Sequence, residues 1–116
     1  MIAPMPDMPH PLPEPLADAV ASRFRVLGEP MRIRILDRLR DGEATVSELA
    51  EALGTSQQNV SKHVGVLVTA GLVAREKDGN SVRCTIADPS VFDLCEQVCG
   101  GLRRQADQLQ ELFGGT

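Results

Sequence analysis

The sequence predicts a mainly α-helical domain carrying one small β-hairpin, in the order α-α-α-α-β-β-α. Three observations predict it. Residues 16–71 hold four stretches with apolar residues at three- and four-residue spacing, punctuated by glycines suited to helix ends. Residues 72–86 switch to alternation around Asp78-Gly79-Asn80, a turn whose residues tolerate positive φ. Residues 90–113 return to helical spacing and keep it for a length unusual in so small a domain.

Each element has a local reason. Six of the eight prolines fall in residues 1–15, where missing amides and fixed φ exclude helix and sheet, so a flexible tail is expected there. Leu16, Val20, Phe24 and Leu27 then space a first helix, ended by Gly28. Pro30 starts the second, whose broad apolar face is Ile33, Ile35, Leu36 and Leu39, flanked by Arg32, Arg34, Arg38 and Arg40. Asp41-Gly42 marks a turn. Thr45 and Glu48 form a capping-box pattern ahead of Val46, Leu49, Ala50 and Leu53, and Gly54 suits the left-handed position past that helix. Ser56 is an N-cap for the fourth helix, which turns Val60, Val64, Leu67 and Val68 inward and ends at Gly71.

Strands are expected over 72–77 and 81–86. Asp88 as cap and Pro89 in the first turn should then open the last helix. Its seam is Phe92, Cys95, Cys99, Leu102, Ala106, Leu109 and Phe113, a pattern suited to a contact between two helices of different subunits or to the chain's own core. Gly100-Gly101 would each cost about 1 kcal/mol mid-helix, so a bend or a close helix approach is expected there. The folded domain is thus placed at 16–113, between the tail at 1–15 and a short C-terminal tail at 114–116.

Composition narrows the function. The chain has 116 residues, 42% hydrophobic and 24% charged, which is the size and balance of one globular domain. No run of about 18 apolar residues crosses a membrane, and no basic-then-apolar leader opens the chain. Three cysteines are an odd count, which favours reduced thiols in a cytoplasm over a disulfide framework. No phosphate-binding glycine loop, carboxylate pair or nucleophile–base set is visible, so an enzyme is not expected. The net charge is −4, yet residues 56–86 carry Lys62, Arg75, Lys77 and Arg83 against Glu76 and Asp78 and form the positive part of the chain.

That positive segment opens on polar side chains. Gln57, Gln58 and Asn59 carry amides that can pair with adenine in a DNA major groove. Ser61 and His63 are smaller polar readers, Lys62 suits a phosphate or guanine, and Ser56 can cap the helix and donate to a phosphate at its N-terminus. Lys77, Asn80 and Arg83 on the hairpin can reach phosphates or a minor groove. Together these describe a winged helix-turn-helix, and its partner would be double-stranded DNA. The alternative function is a winged helix that binds proteins and has no inducer site.

The chain resembles the ArsR/SmtB family of bacterial winged-helix repressors over residues 16–113. The resemblance rests on Leu27-Gly28-Glu29-Pro30-Met31-Arg32-Ile33-Arg34-Ile35-Leu36, on Glu48-Leu49-Ala50, on Ser56-Gln57-Gln58-Asn59-Val60-Ser61-Lys62-His63-Val64, and on Leu67 with Ala70-Gly71-Leu72-Val73. It implies a homodimer joined through its terminal helices, a recognition helix from Ser56 to Ala70, a wing over 77–83, a two-fold symmetric operator, and repression relieved by an inducer. Both familiar metal sites of the family lack their ligands. The cysteine pair before the recognition helix is replaced by Thr45 and Ser47, and the final-helix set keeps Asp88 but has Ser90, Gly101 and Arg104 elsewhere. Cys95 and Cys99, one turn apart, remain as thiolate ligands for a soft metal or metalloid, with Cys84 as a third donor. Packing and thiol oxidation are the other roles open to them.

Overall fold

A computed structural model describes residues 7–114. The expected tail at 1–15 falls partly outside that range, as do residues 115 and 116 of the C-terminal tail. The last two residues of the 1–15 stretch are helical, since Pro15 sits in the first turn of a helix that begins at Glu14, where a missing amide costs nothing. The elements are α1 (Glu14–Leu27), α2 (Pro30–Leu39), β1 (Ala44–Thr45), α3 (Val46–Leu53), α4 (Gln57–Thr69), β2 (Val73–Asp78), β3 (Ser81–Ile86) and α5 (Val91–Phe113). The expected order holds, with β1 added. A two-residue strand has no periodicity to read, so it is visible only through its partner.

Local chemistry explains most boundaries. Glu29 caps α2 by accepting from the Met31 amide, and Pro30 follows as the first helical residue. The capping box of α3 is complete. Thr45 Oγ1 accepts from the Glu48 amide at 3.0 Å, and the Glu48 carboxylate accepts from the Thr45 amide at 2.9 Å. That backbone hydrogen bond, then the hydroxyl, holds the Glu48 carboxyl below its usual range. Gly54 closes α3 at φ 66°, a conformation that strains a side chain. Asp88 does not cap α5 directly. Its carboxylate accepts from both the amide and the hydroxyl of Ser90, forming a turn before the helix starts at Val91. Those Ser90 hydrogen bonds also lower the Asp88 pKa.

The sheet is antiparallel in the order β1-β3-β2. Ala44 pairs with Cys84 on one side of β3, and Arg75 pairs with Cys84 on the other. The core lies between α2, α3, α4 and this sheet. Ile35, Leu36, Leu49, Val60, Val64, Leu67, Leu72 and Cys84 are its fully enclosed side chains. Aromatic residues are absent from that list, and of the three Phe only Phe92 packs against this core, half-buried.

One element stands apart. α5 runs 23 residues, yet Val91 is its sole buried residue. Val98, Leu102, Leu109, Leu112 and Phe113 are exposed along it, and Leu16, Val20 and Phe24 are exposed on α1. The helix passes Gly100-Gly101 without a break. A Cβ at Gly100 would meet Arg104 Nη1 at 3.5 Å, so the Arg104 guanidinium lies back over the glycine pair, where a close helix approach or a bend was expected.

Candidate nucleic-acid interface

α3 and α4 meet through the Gly54-Thr55-Ser56 corner, and the corner sets the presentation of α4. Ser56 Oγ accepts from the Asn59 amide at 3.0 Å, satisfying one of the first-turn donors. The other early amides stay free to meet an anion at the positive end of the helix dipole. Val60, His63, Val64 and Leu67 form the buried face. The opposite face carries Gln57, Gln58, Ser61, Lys62 and Thr69, all exposed. Along 13 residues this makes one polar stripe, wide enough for side-chain amides and an ammonium to project together.

The predicted readers divide on this geometry. Ser56, Gln57, Gln58, Ser61 and Lys62 are exposed. Gln57 Nε2 lies 3.5 Å from Ser47 Oγ, a weak contact that leaves the amide oxygen free. Asn59 is half-buried, and its Nδ2 donates to Thr55 Oγ1 at 3.1 Å, so the side chain serves the corner as much as the outer face. His63 is the correction. It is 6% exposed, and its Nδ1 lies 3.2 Å from Arg32 Nη1. It faces inward, away from the exposed polar stripe. Its place in the Val60, Val64, Leu67 stripe is the signal that marks it so. Burial first, then Arg32 and Lys62, lower its pKa, and Glu29 opposes them.

The wing holds its cations unequally. Lys77 and Asn80 are exposed beside the hairpin tip. Arg83 is engaged within the protein, its guanidinium 3.0 Å from Asp78 and 3.6 Å from Glu43. Arg75, not singled out by motif, projects from β2 toward α4. A Cβ on Gly65 would meet its Nη1 at 3.6 Å, so the guanidinium sits over the gap that Gly65 leaves on the outer stripe. A mid-helix glycine facing outward is the sequence signal for that approach.

The cysteines lie away from this surface. Cys84 is buried in the sheet, and burial raises its thiol pKa. It does not join the other two, which corrects the three-cysteine set. Cys95 is half-buried and Cys99 exposed. They line a cleft of about 780 Å³ between α2 and α5 with Ile33, Arg40, Phe92, Arg103 and Arg104. The Arg40 guanidinium stacks 5.7 Å from the Phe92 ring centre. Among the described residues no group of three or more His, Cys, Asp or Glu is placed to hold a metal ion. No helix among them is long and apolar enough to cross a membrane.

Residues 27–76 match the family model of the helix-turn-helix domain. The chain is 40% identical over 82 residues to an uncharacterized HTH-type transcriptional regulator of Mycobacterium tuberculosis, covering 70% of this chain and 72% of that one. It is also 40% identical over 77 residues to the "probable mercury resistance operon repressor" of Streptomyces lividans, covering 66% of this chain and 62% of the relative's length. The crystal structure of M. tuberculosis Rv0081 superposes with a TM-score of 0.74 at 36% identity, over 84% of this chain and 99% of that one. An antimony-specific transcriptional repressor superposes at 0.73 and 30% identity, over 88% and 91%. The homodimeric winged helix-turn-helix DNA-binding domain from Mycobacterium bovis superposes at 0.71 and 27% identity, over 90% and 95%.

Proposed function

The chain belongs to the ArsR/SmtB family of winged helix-turn-helix transcriptional regulators, and from that premise we propose a homodimeric repressor that leaves its operator when an inducer engages Cys95 and Cys99. The observation that carries the DNA-binding part is the outward stripe of Gln57, Gln58, Ser61 and Lys62 on a helix whose first turn is capped by Ser56. Those amides and that ammonium are the donors and acceptors a major groove answers. Lys77 and Asn80 on the wing, with Arg75 over Gly65, supply contacts to the backbone on either side. Arg83 stays with Glu43 and Asp78 and shapes the wing.

The dimer follows from the apolar faces of α1 and α5, which have no partner within the described chain. A two-fold mate places a second α4 about 34 Å away, the distance between successive major grooves on one side of a duplex. Such an assembly reads a two-fold symmetric operator in the cytoplasm.

Related repressors respond to metals or metalloids, and the thiols here fit part of such a shell. Two sulfurs one turn apart supply two soft donors. A third would have to come from outside this chain's described residues, since Cys84 is enclosed. The charge around the pair is mixed, since Arg40, Arg103 and Arg104 line the cleft with Glu96 and Arg40 is paired with Asp37 at 3.2 Å. The test is a mobility shift on the upstream region with arsenite, Cd(II), Zn(II) and a persulfide donor added in turn. Release by one of them that is lost in both Cys95→Ser and Cys99→Ser is expected. Release that survives both substitutions removes the cysteines from the mechanism.

A further inference from the structure

Two arginines tie the recognition helix to the first two helices, and one of them does so through a ring. Arg32 lies in the first turn of α2. Its Nε donates to the Val26 carbonyl at 2.6 Å and its Nη2 to the Arg25 carbonyl at 3.3 Å. Both carbonyls belong to the last turn of α1, and that of Arg25 also accepts from the Gly28 amide at 3.3 Å. The remaining arm, Nη1, meets His63 Nδ1 on α4 at 3.2 Å. A guanidinium only donates, so Nδ1 accepts, the proton sits on Nε2, and the ring is neutral. A second tether runs from Arg23 Nη2 on α1 to the Ala70 carbonyl at the far end of α4, at 3.0 Å.

We propose that Arg32 is a positioning residue for DNA reading, which acts through the His63 ring to fix the rotation of α4 against the corner between α1 and α2. The proposal rests on α4 being the reading helix. His63 and the reading stripe occupy opposite faces of the same helix. Reading side chains extend about 5–6 Å from the helix axis, so a rotation of about 20° moves their tips by about 2 Å. That displacement breaks a base-edge hydrogen bond. Lys62 on its flexible stem still finds a phosphate. Losing the clamp therefore removes discrimination between sequences and leaves general affinity for DNA. Because one guanidinium holds both α1 and α4, a shift of α1 reaches α4 without an intermediate.

The charged groups acting on His63 are Arg32 and Glu29 from α2 and its cap, and Lys62 from α4 itself. A protonated ring would turn an N–H toward the guanidinium and break the bond. The folded-state pKa lies below the ordinary histidine value, so the unfolded ring takes the proton first. This contribution to stability is full above about 6.5 and is lost as pH falls from there through the folded-state value.

The probes are a duplex from the region upstream of the chain's own coding sequence and a scrambled duplex of the same composition. Arg32→Lys keeps the charge and loses the fork, and His63→Leu removes the acceptor. Each should lower the upstream-over-scrambled affinity ratio by about tenfold, the scale of one lost base-specific pair. Scrambled-duplex affinity should change by less than about twofold. His63→Gln offers an amide oxygen to Arg32 and should keep the ratio. It should also flatten the decline of that ratio below the ordinary histidine range that the unsubstituted protein shows. Amide hydrogen exchange without DNA should be faster in α4 for Arg32→Lys and unchanged for His63→Gln. Unchanged exchange in Arg32→Lys overturns the clamp whatever the DNA result. Equal losses on both duplexes with a lowered melting temperature also overturn it, and assign Arg32 to general folding. A wild-type protein that does not prefer the upstream duplex fails the DNA-reading premise on that probe, while the exchange result still decides the clamp.

Discussion

Gly65 shows what a missing side chain does for a surface. It lies mid-helix on the outer face of α4, where a glycine costs up to about 1 kcal/mol against alanine. The Arg75 guanidinium lies 3.6 Å from where its Cβ would be. Gly65→Ala should therefore be accommodated, raising stability by up to about 1 kcal/mol in urea unfolding with little change in DNA affinity. Gly65→Glu should pair with Arg75, add a negative charge to the stripe and weaken DNA binding strongly. A Glu variant that binds as well as the wild type would remove Arg75 and this stretch of α4 from the interface. Sequence pattern marked the outward amides at 57 and 58 because no apolar spacing claims those positions. It grouped His63 with those readers because a histidine is polar by composition, although its spacing from Val60 and Leu67 puts it on the buried face, beside Arg32. Arg75 was legible as one cation of the positive segment but not as a neighbour of α4, since that approach joins two separate elements.

At the scale of elements, caps were legible and ends were not always. The Thr45-Glu48 box could be read because its chemistry is local to four residues, and both hydrogen bonds are present. Thr45→Ala should lower unfolding free energy by about 1 kcal/mol without altering the order of binding to different duplexes. The start of α5 was less legible, because Asp88 serves the Ser90 turn and leaves the helix to begin one residue later. β1 could not be read at all, since two residues become a strand only when β3 lies beside them. The seam of α5 was visible as a period but not as a contact. Phe92 packs against the core, but Leu102 is 60% exposed and Phe113 81% exposed, so the later part of the seam does not lie on its own core. Leu102→Glu with Leu109→Glu should leave the helical content intact and halve the mass seen in sedimentation. A wild-type protein that already sediments as one chain would remove the dimer from the proposal.

The whole molecule places its charge against its total. A net charge of −4 is compatible with DNA binding because residues 56–86 are net positive while all acidic residues but Glu76 and Asp78 lie in the flanking segments. The observed logarithm of affinity should fall linearly with the logarithm of salt concentration, with a slope that loses about one unit for each phosphate-bound lysine removed. Lys62→Ala and Lys77→Ala should each flatten the slope, whereas Arg83→Ala should alter it less, its guanidinium being held by Glu43 and Asp78. A larger effect at Arg83 than at Lys77 would show that the wing rearranges on the duplex.

The long, bare α5 carries one more consequence. A helix that finds its cover in another copy makes the number of molecules in the cell an input to the switch. At low numbers, promoter occupancy by pairs assembled from single chains rises with the square of the free chain concentration, so a modest fall in synthesis silences the regulator sharply. A gene that controls its own supply through such a helix would answer dilution during growth as well as any chemical signal.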